Sequence, residues 1–123
     1  MTRVLIVDDE PSLRVLQRLT LEERGYTCDE AAGGAEALEL HAASDEQTPS
    51  WSVIVLDHRM PGMTGIEVAR EIRERGDDTP IVLYSGYIEP SVETQAASLG
   101  VRAVDKVDHE RLLDIVDELA LAA

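Results

Sequence analysis

Side chains suited to metal or phosphoryl chemistry stand where the apolar segments of this 123-residue chain end. The short apolar run from Val53 to Leu56 is rich in β-branched residues, which predicts a central strand buried on both faces of a parallel sheet. One carboxylate, Asp57, follows directly, and a loop rich in turn-forming residues comes next. Open α/β folds bind ligands at this edge of the sheet, so Asp57 is a candidate site residue, although capping of a turn is the commoner role of such an aspartate.

The same pattern recurs at other apolar runs. Asp8 and Asp9 follow the first run, Ser85 ends the fourth, and Lys106 lies just after the fifth. Carboxyl ends of parallel strands share one edge, so these side chains are expected to meet Asp57 there. Taken singly, each has an ordinary alternative: helix capping for the two aspartates, a turn for the serine and a solvated surface for the lysine.

Five apolar runs alternate with five helix-like segments, which predicts one domain, residues 1–123, with a parallel sheet and helices on both of its faces. The strands are predicted at 3–7, 26–31, 53–56, 81–84 and 101–104. The helices are predicted from Pro11 to a stop at Gly25, over 35–42, from Thr64 or Gly65 to a stop at Gly76, over 90–99, and around Leu112 to Leu119. Residues 44–50 are polar and are expected to form an exposed connector.

Three carboxylates at one edge would repel one another. At an effective dielectric of about 20, each pair about 4 Å apart costs on the order of 4 kcal/mol. A divalent cation removes this cost, and carboxylates with water and a backbone carbonyl suit Mg²⁺. Asp8, Asp9 and Asp57 therefore form a candidate Mg²⁺ site.

Phosphoryl chemistry fits the same set. Lys106 supplies a compact positive charge and Ser85 a hydroxyl donor, and both residue types hold phosphoryl oxygens. A carboxylate such as that of Asp57 can itself accept a phosphoryl group as an aspartyl phosphate, provided that a metal and positive donors spread the charge.

Composition narrows the function classes. The net charge of −14 disfavours direct binding to nucleic acid or to an anionic membrane. No apolar stretch is long enough to span a bilayer, the first residues lack the pattern of a signal peptide, and Cys28 is the single cysteine. These features favour a cytoplasmic location.

Four segments, taken in order, resemble the receiver domains of bacterial two-component response regulators. Residues 4–11 are similar to the opening of those domains, 57–65 to their phosphoacceptor segment and 79–87 to the segment that carries their hydroxyl residue, and Lys106 matches their lysine. The resemblance covers essentially the whole chain. It implies a flavodoxin-like, doubly wound α/β fold, a three-layer sandwich of five helices on a five-stranded parallel sheet in the order 2-1-3-4-5.

The resemblance also implies roles. Asp57 would accept a phosphoryl group from a histidine kinase or a histidine phosphotransfer protein, and Asp9, Asp57 and the Arg59 backbone carbonyl would ligate Mg²⁺ with help from Asp8. Ser85 and Lys106 would contact the phosphoryl oxygens. Phosphorylation would then shift the surface formed by the fourth helix, fifth strand and fifth helix, the usual site of output to a downstream protein or of homodimerisation.

Three positions depart from the family pattern. Ala103 stands where an aromatic residue usually lies, and we hypothesise that Tyr84 or Tyr87 takes its part. Val107 stands where a proline, often after a cis bond, usually follows the lysine, and we predict a trans bond because a cis bond before a non-proline residue costs about 2.5–4 kcal/mol. The Arg59 side chain either reaches the phosphoryl group or the acidic cluster, or is solvated in the loop.

Neighbouring histidines are expected to be bystanders. His58 should point away from the site if strand alternation persists, and neither His41 nor His109 is expected to have a catalytic role.

Other functions stay open. The chain could be a receiver cut from a larger regulator, or a degenerate receiver that only binds protein. An aspartate-based Mg²⁺ phosphatase is disfavoured because Arg59 occupies the position where those enzymes carry a second acid.

Overall fold

The computed structural model describes residues 2–43 and 51–121, and the connector predicted at 44–50 lies outside this part. Five strands alternate with five helices along the described residues, as the sequence predicts. The strands are β1 (Arg3–Val7), β2 (Thr27–Ala31), β3 (Val53–Leu56), β4 (Ile81–Ser85) and β5 (Arg102–Asp105). The helices are α1 (Pro11–Glu23), α2 (Gly34–Ala43), α3 (Gly65–Glu74), α4 (Pro90–Ser98) and α5 (His109–Leu121).

The strands form one parallel sheet in the order β2-β1-β3-β4-β5, which confirms the predicted flavodoxin-like α/β topology. Boundaries differ from the prediction by a residue or so, because strand ends depend on pairing with the neighbour rather than on hydrophobicity. β5 is the clearest case, since it pairs with β4 from Arg102 to Asp105 and so begins and ends one residue later than predicted.

Alternating strand residues point to opposite faces of the sheet and pack into two hydrophobic cores. Leu5, Ile54 and Leu83 pack toward α2, α3 and α4, whereas Val55 and Tyr84 pack toward α1 and α5. Every residue of β3 is buried, as expected for a central strand covered on both faces. The sheet is thus the middle layer of a three-layer sandwich.

Helix α1 buries little of its apolar surface. Gln17 and Leu21 are its buried residues, while Leu13, Leu16 and Leu19 are 40%, 52% and 50% exposed. The spacing of these leucines predicts the helix correctly but does not identify the face that it buries.

Helix α3 is fixed at both ends. Thr64 and Glu67 form a reciprocal capping box at its start, with the Glu67 amide donating to Thr64 Oγ1 over 3.2 Å. Near its end, the Arg73 guanidinium donates to the carbonyl of Leu99 at the end of α4 (2.8 Å) and to that of Thr79 before β4 (2.8 Å). This arginine therefore ties α3 to the carboxyl end of α4.

Candidate functional site

The predicted site residues lie together at the carboxyl edge of the sheet. Backbone hydrogen bonds continue the strand ladders into the site, because the Asp57 amide donates to the Val7 carbonyl (2.9 Å) and the Asp8 amide to the Ala31 carbonyl (3.1 Å). The main chain of both aspartates is consequently held by the neighbouring strand.

Three carboxylates converge at this edge. Asp8, Asp9 and Asp57 each offer an oxygen atom, and these oxygens lie within 4.8 Å of one another. Asp8 is fully buried, Asp57 is 7% exposed and Asp9 faces solvent. An all-oxygen donor set with one open side fits a hard divalent cation that keeps some of its water, such as Mg²⁺.

Asp8 is not a helix cap. The cap residue of α1 is Glu10, whose side chain makes no capping hydrogen bond. Asp8 Oδ1 instead accepts the Glu10 amide proton over 2.9 Å, and Asp8 Oδ2 accepts one from Gln17 Nε2 over 3.2 Å. These bonds leave the carboxylate oriented toward the other two acids.

Lys106 bridges the cluster from the β5 side. Its Nζ lies 2.9 Å from Asp8 Oδ2 and 3.5 Å from Asp57 Oδ2. Its backbone amide donates to the carbonyl of Ser85 over 2.9 Å, so the lysine is attached to the end of β4 that also carries the candidate hydroxyl. A charge between two buried carboxylates partly offsets their repulsion.

The Asp57 carboxyl is electrostatically strained. Burial raises its pKa above the ordinary value, the Lys106 charge lowers it, and the nearby Asp8 and Asp9 charges raise it further. The net result is a raised pKa. A bound cation stabilises the ionised form of such a carboxylate, so ionisation of Asp57 is coupled to metal binding.

Gly65 makes room for the site. A β-carbon at this position would lie 2.5 Å from the Asp57 carbonyl oxygen and 2.7 Å from Leu83 Cδ1. The Gly65 amide also donates to the His58 carbonyl over 3.0 Å, which closes the loop that follows β3. The glycine therefore lets α3 begin directly against the chain that carries Asp57.

An open cleft of about 460 Å³ adjoins Asp9. His58 and Arg59 line one side of it, and Tyr87 and Glu89 line the other. Among the residues that the structure describes, Arg59 makes no ion pair, so its exposed guanidinium is available at the mouth of the site. His58 lies at this cleft, and its Nδ1 is buried without a hydrogen-bond partner among the described residues.

The other two histidines have structural partners. His41 Nε2 lies 2.7 Å from Asp77 Oδ2, and His109 packs near Tyr84 on the far side of the sheet from α3.

The Lys106–Val107 bond is trans, as predicted, since the described part of the chain contains no cis peptide. The two tyrosines proposed to replace the missing aromatic have different surroundings. Tyr87 is 57% exposed at the cleft, whereas Tyr84 is 5% exposed and its hydroxyl donates to the Lys106 carbonyl over 3.1 Å.

Sequence reasoning missed Gln17. Its side chain is 3% exposed and donates to Asp8 from the buried face of α1. The signal was its position one turn before Leu21, where a polar residue on an inward-facing stripe needs a partner.

A family model described as the response regulator receiver domain matches residues 4–117. The response regulator MprA of Mycobacterium ulcerans is 40% identical over 103 residues, which are 84% of this chain and 41% of that protein. The transcriptional regulatory protein ResD of Bacillus subtilis is 38% identical over 80% of this chain and 39% of its own. The chain thus spans about two fifths of the length of these relatives.

Solved structures agree in fold. The response regulator protein TrrA of Thermotoga maritima, solved in complex with Mg²⁺-BeF, superposes with a TM-score of 0.83 at 34% identity, covering 97% of this chain and 99% of TrrA. TrrA has also been solved in complex with the histidine kinase ThkA, and that copy gives the same TM-score of 0.83 over 97% of this chain and 98% of TrrA. The chemotaxis protein CheY4 of Vibrio cholerae gives a TM-score of 0.84 at 30% identity, over 97% and 98% of the two chains.

No helix in residues 2–43 and 51–121 has the length and apolar character needed to cross a bilayer.

Proposed function

This chain belongs to the response regulator receiver domain family, and from that premise we propose that Asp57 accepts a phosphoryl group in a two-component or phosphorelay system. The donor is the phosphohistidine of a histidine kinase or of a histidine phosphotransfer protein, and the complex of TrrA with a histidine kinase supports this class of partner. One observation carries the proposal: Asp57 shares an edge with two further carboxylates, and Lys106 Nζ lies between Asp8 and Asp57.

The transfer is an in-line substitution at phosphorus. An Asp57 carboxylate oxygen forms the new P–O bond, the P–N bond to the donor imidazole breaks, and the imidazole leaves with the bonding electron pair. The backbone hydrogen bond from the Asp57 amide to Val7 holds the nucleophile in place while the donor approaches from the open side.

Asp8, Asp9, Asp57 and the Arg59 carbonyl would hold Mg²⁺, which neutralises charge on the transferring group when it is bound. Lys106 Nζ, which lies 3.5 Å from Asp57 Oδ2, would turn toward a phosphoryl oxygen on that residue. Ser85, at the end of β4, supplies a hydroxyl to the same group.

Phosphorylation would draw the Ser85 hydroxyl toward Asp57 and alter the α4–β5–α5 surface, where a downstream protein or a second copy binds. Lys106 joins this surface to the site because its amide is bonded to Ser85 and it directly follows β5. The protein would act in the cytoplasm. It would catalyse its own phosphorylation and dephosphorylation and would turn over no metabolite.

Beryllofluoride, a mimic of the phosphoryl group on aspartate, tests the proposal. Backbone NMR shifts are followed in wild type and Asp57→Asn as beryllofluoride is added with and without Mg²⁺. We expect saturable, Mg²⁺-dependent shifts at the strand ends that vanish in the variant. A wild-type protein that shows no shifts at high Mg²⁺ would refute the phosphoacceptor and support the degenerate, protein-binding receiver.

A further inference from the structure

Neither a proline nor a buried side chain follows Lys106 to fix the conformation of its loop. The residue after it is Val107, whose side chain is 89% exposed and therefore adds no packing. The Lys106–Val107 bond is trans, and no proline ring restricts the backbone here. Hydrogen bonds must therefore determine where the lysine stands.

Both backbone polar groups of Lys106 are bonded to adjacent residues of β4. Its amide donates to the Ser85 carbonyl over 2.9 Å, and its carbonyl accepts from the Tyr84 hydroxyl over 3.1 Å. The ring of Tyr84 also lies beneath the ammonium group, with Nζ 6.0 Å from the ring centroid. Tyr84 thus contacts the lysine at its main chain and at its charge.

Asp105 secures the other side of the loop. Its Oδ1 accepts the Val107 amide proton over 3.0 Å, and its carbonyl accepts the Asp108 amide proton over 3.0 Å. These bonds shape the turn but do not reach Lys106 directly. Asp8 and Asp57 hold the Lys106 ammonium group, and the Tyr84 side chain holds the Lys106 main chain.

A chain of hydrogen bonds supports the Tyr84 hydroxyl. His109 Nδ1 lies 3.2 Å from the hydroxyl oxygen, and His109 Nε2 lies 3.1 Å from Thr20 Oγ1 on α1. A tyrosine hydroxyl has one proton, and donating it to the Lys106 carbonyl leaves only lone pairs toward His109. His109 Nδ1 must then carry a proton and donate, and a neutral His109 accepts at Nε2 only when the Thr20 hydroxyl turns its proton from the Leu16 and Gln17 carbonyls, each 3.0 Å away, to the imidazole. Burial raises the pKa of Tyr84, aided by the charges of Asp108, Asp105 and Asp8, so the hydroxyl keeps its proton.

We propose that Tyr84 is the positioning residue for Lys106, and that its hydroxyl, backed by His109, sets the lysine where it meets the phosphoryl group on Asp57. The inference rests on the proposed function, since it concerns the lysine assigned to that group. Tyr84, on the α1 and α5 side of the sheet, would thus take the part of the aromatic residue that β5 lacks at Ala103.

The first measurement needs no phosphoryl mimic. Nitrogen-15 NMR of the imidazole reports which nitrogen of His109 is protonated. We expect a protonated Nδ1 in wild type and a loss of that preference in Tyr84→Phe. A wild-type His109 protonated at Nε2 alone would overturn the inference, because the Tyr84 proton would then be directed to His109 rather than to the lysine carbonyl.

The second measurement is beryllofluoride affinity at saturating Mg²⁺. Tyr84→Phe keeps the ring and removes the hydroxyl, and we expect affinity to fall about fivefold, the effect of one net hydrogen bond. Tyr26→Phe is the matched control, because its hydroxyl bonds Asp117 on α5 and does not touch Lys106. We expect it to leave the affinity unchanged.

A double-mutant cycle separates positioning from general destabilisation. In a Lys106→Ala background, Tyr84→Phe should have no further effect on affinity, since the lysine that it positions is gone. An equal loss in both backgrounds, or no loss in wild type, would overturn the inference. If wild type binds no beryllofluoride at all, the proposed function fails, and the His109 measurement still decides the part played by Tyr84.

Discussion

Replacing Asp57 by asparagine should stabilise the metal-free protein. At an effective dielectric of about 20, two unit charges 4.8 Å apart repel by about 3.5 kcal/mol, so Asp8 and Asp9 together oppose the Asp57 charge by about 7 kcal/mol. Lys106, 3.5 Å away, attracts it by about 5 kcal/mol. Solvent around the exposed Asp9 screens its share, and we expect the free energy of unfolding to rise by about 1–2 kcal/mol in Asp57→Asn.

The gain should depend on pH. The pKa of Asp57 is raised above its ordinary value of 3.8, chiefly by burial, so between these two pKa values the folded protein binds more protons than the unfolded chain. Wild-type stability therefore falls as pH rises through that window, whereas the asparagine variant has no such group. The difference between the two proteins should be largest near neutral pH and should shrink as pH falls toward 3.8.

Urea unfolding followed by circular dichroism in EDTA measures the difference. Asp78→Asn is the control for net charge, because Asp78 is exposed in the loop before β4, away from the cluster. Mg²⁺ at about a hundred times its Kd should add ~2.7 kcal/mol to wild type and much less to Asp57→Asn. An asparagine variant less stable than wild type in EDTA at neutral pH would refute the account of the three acids as a repulsive cluster.

Three other changes have defined outcomes. Gly65→Ala places a β-carbon 2.5 Å from the Asp57 carbonyl oxygen, so it should lower the free energy of unfolding by about 1–3 kcal/mol and slow phosphorylation, whereas Gly33→Ala, with open space around it, should do neither. Arg59→Ala should change the lifetime of the aspartyl phosphate, measured by loss of label after removal of the donor; an unchanged lifetime would mean that the guanidinium stays in solvent. Iodoacetamide should alkylate Cys28 about a hundredfold more slowly than a free cysteine near pH 8, because burial raises its pKa from 9.0 to about 11, and equal rates would contradict that burial.

The order of strands and helices could be predicted from the sequence because the strands are short, apolar and separated by clear turn residues. Their alternation with helices predicts a parallel sheet, and a parallel sheet brings Asp8, Asp57 and Ser85 to one edge whatever the details of packing. The position of Asp57 in particular follows from where its strand stops, which is a property of the sequence.

Contacts across the sheet could not be predicted in the same way. Gln17 reaches Asp8 only because α1 turns that side chain inward and leaves three leucines exposed, and helical spacing alone does not identify the buried face. Tyr84 was singled out as a candidate, yet its bond to the Lys106 carbonyl depends on the register of β4 and β5. These contacts join residues of different elements, 9 positions apart for Gln17 and Asp8 and 22 for Tyr84 and Lys106, and the local pattern does not predict them.

Arg73 anchors the carboxyl end of helix α4. Its guanidinium donates to the Leu99 carbonyl at the edge of the sheet opposite Asp57. Glu89, just before the first residue of α4, borders the cleft. A helix of nine residues is about 13 Å long. Because Arg73 holds this end, a displacement of the first turn of α4 beside Asp57 would tilt the helix about its carboxyl end.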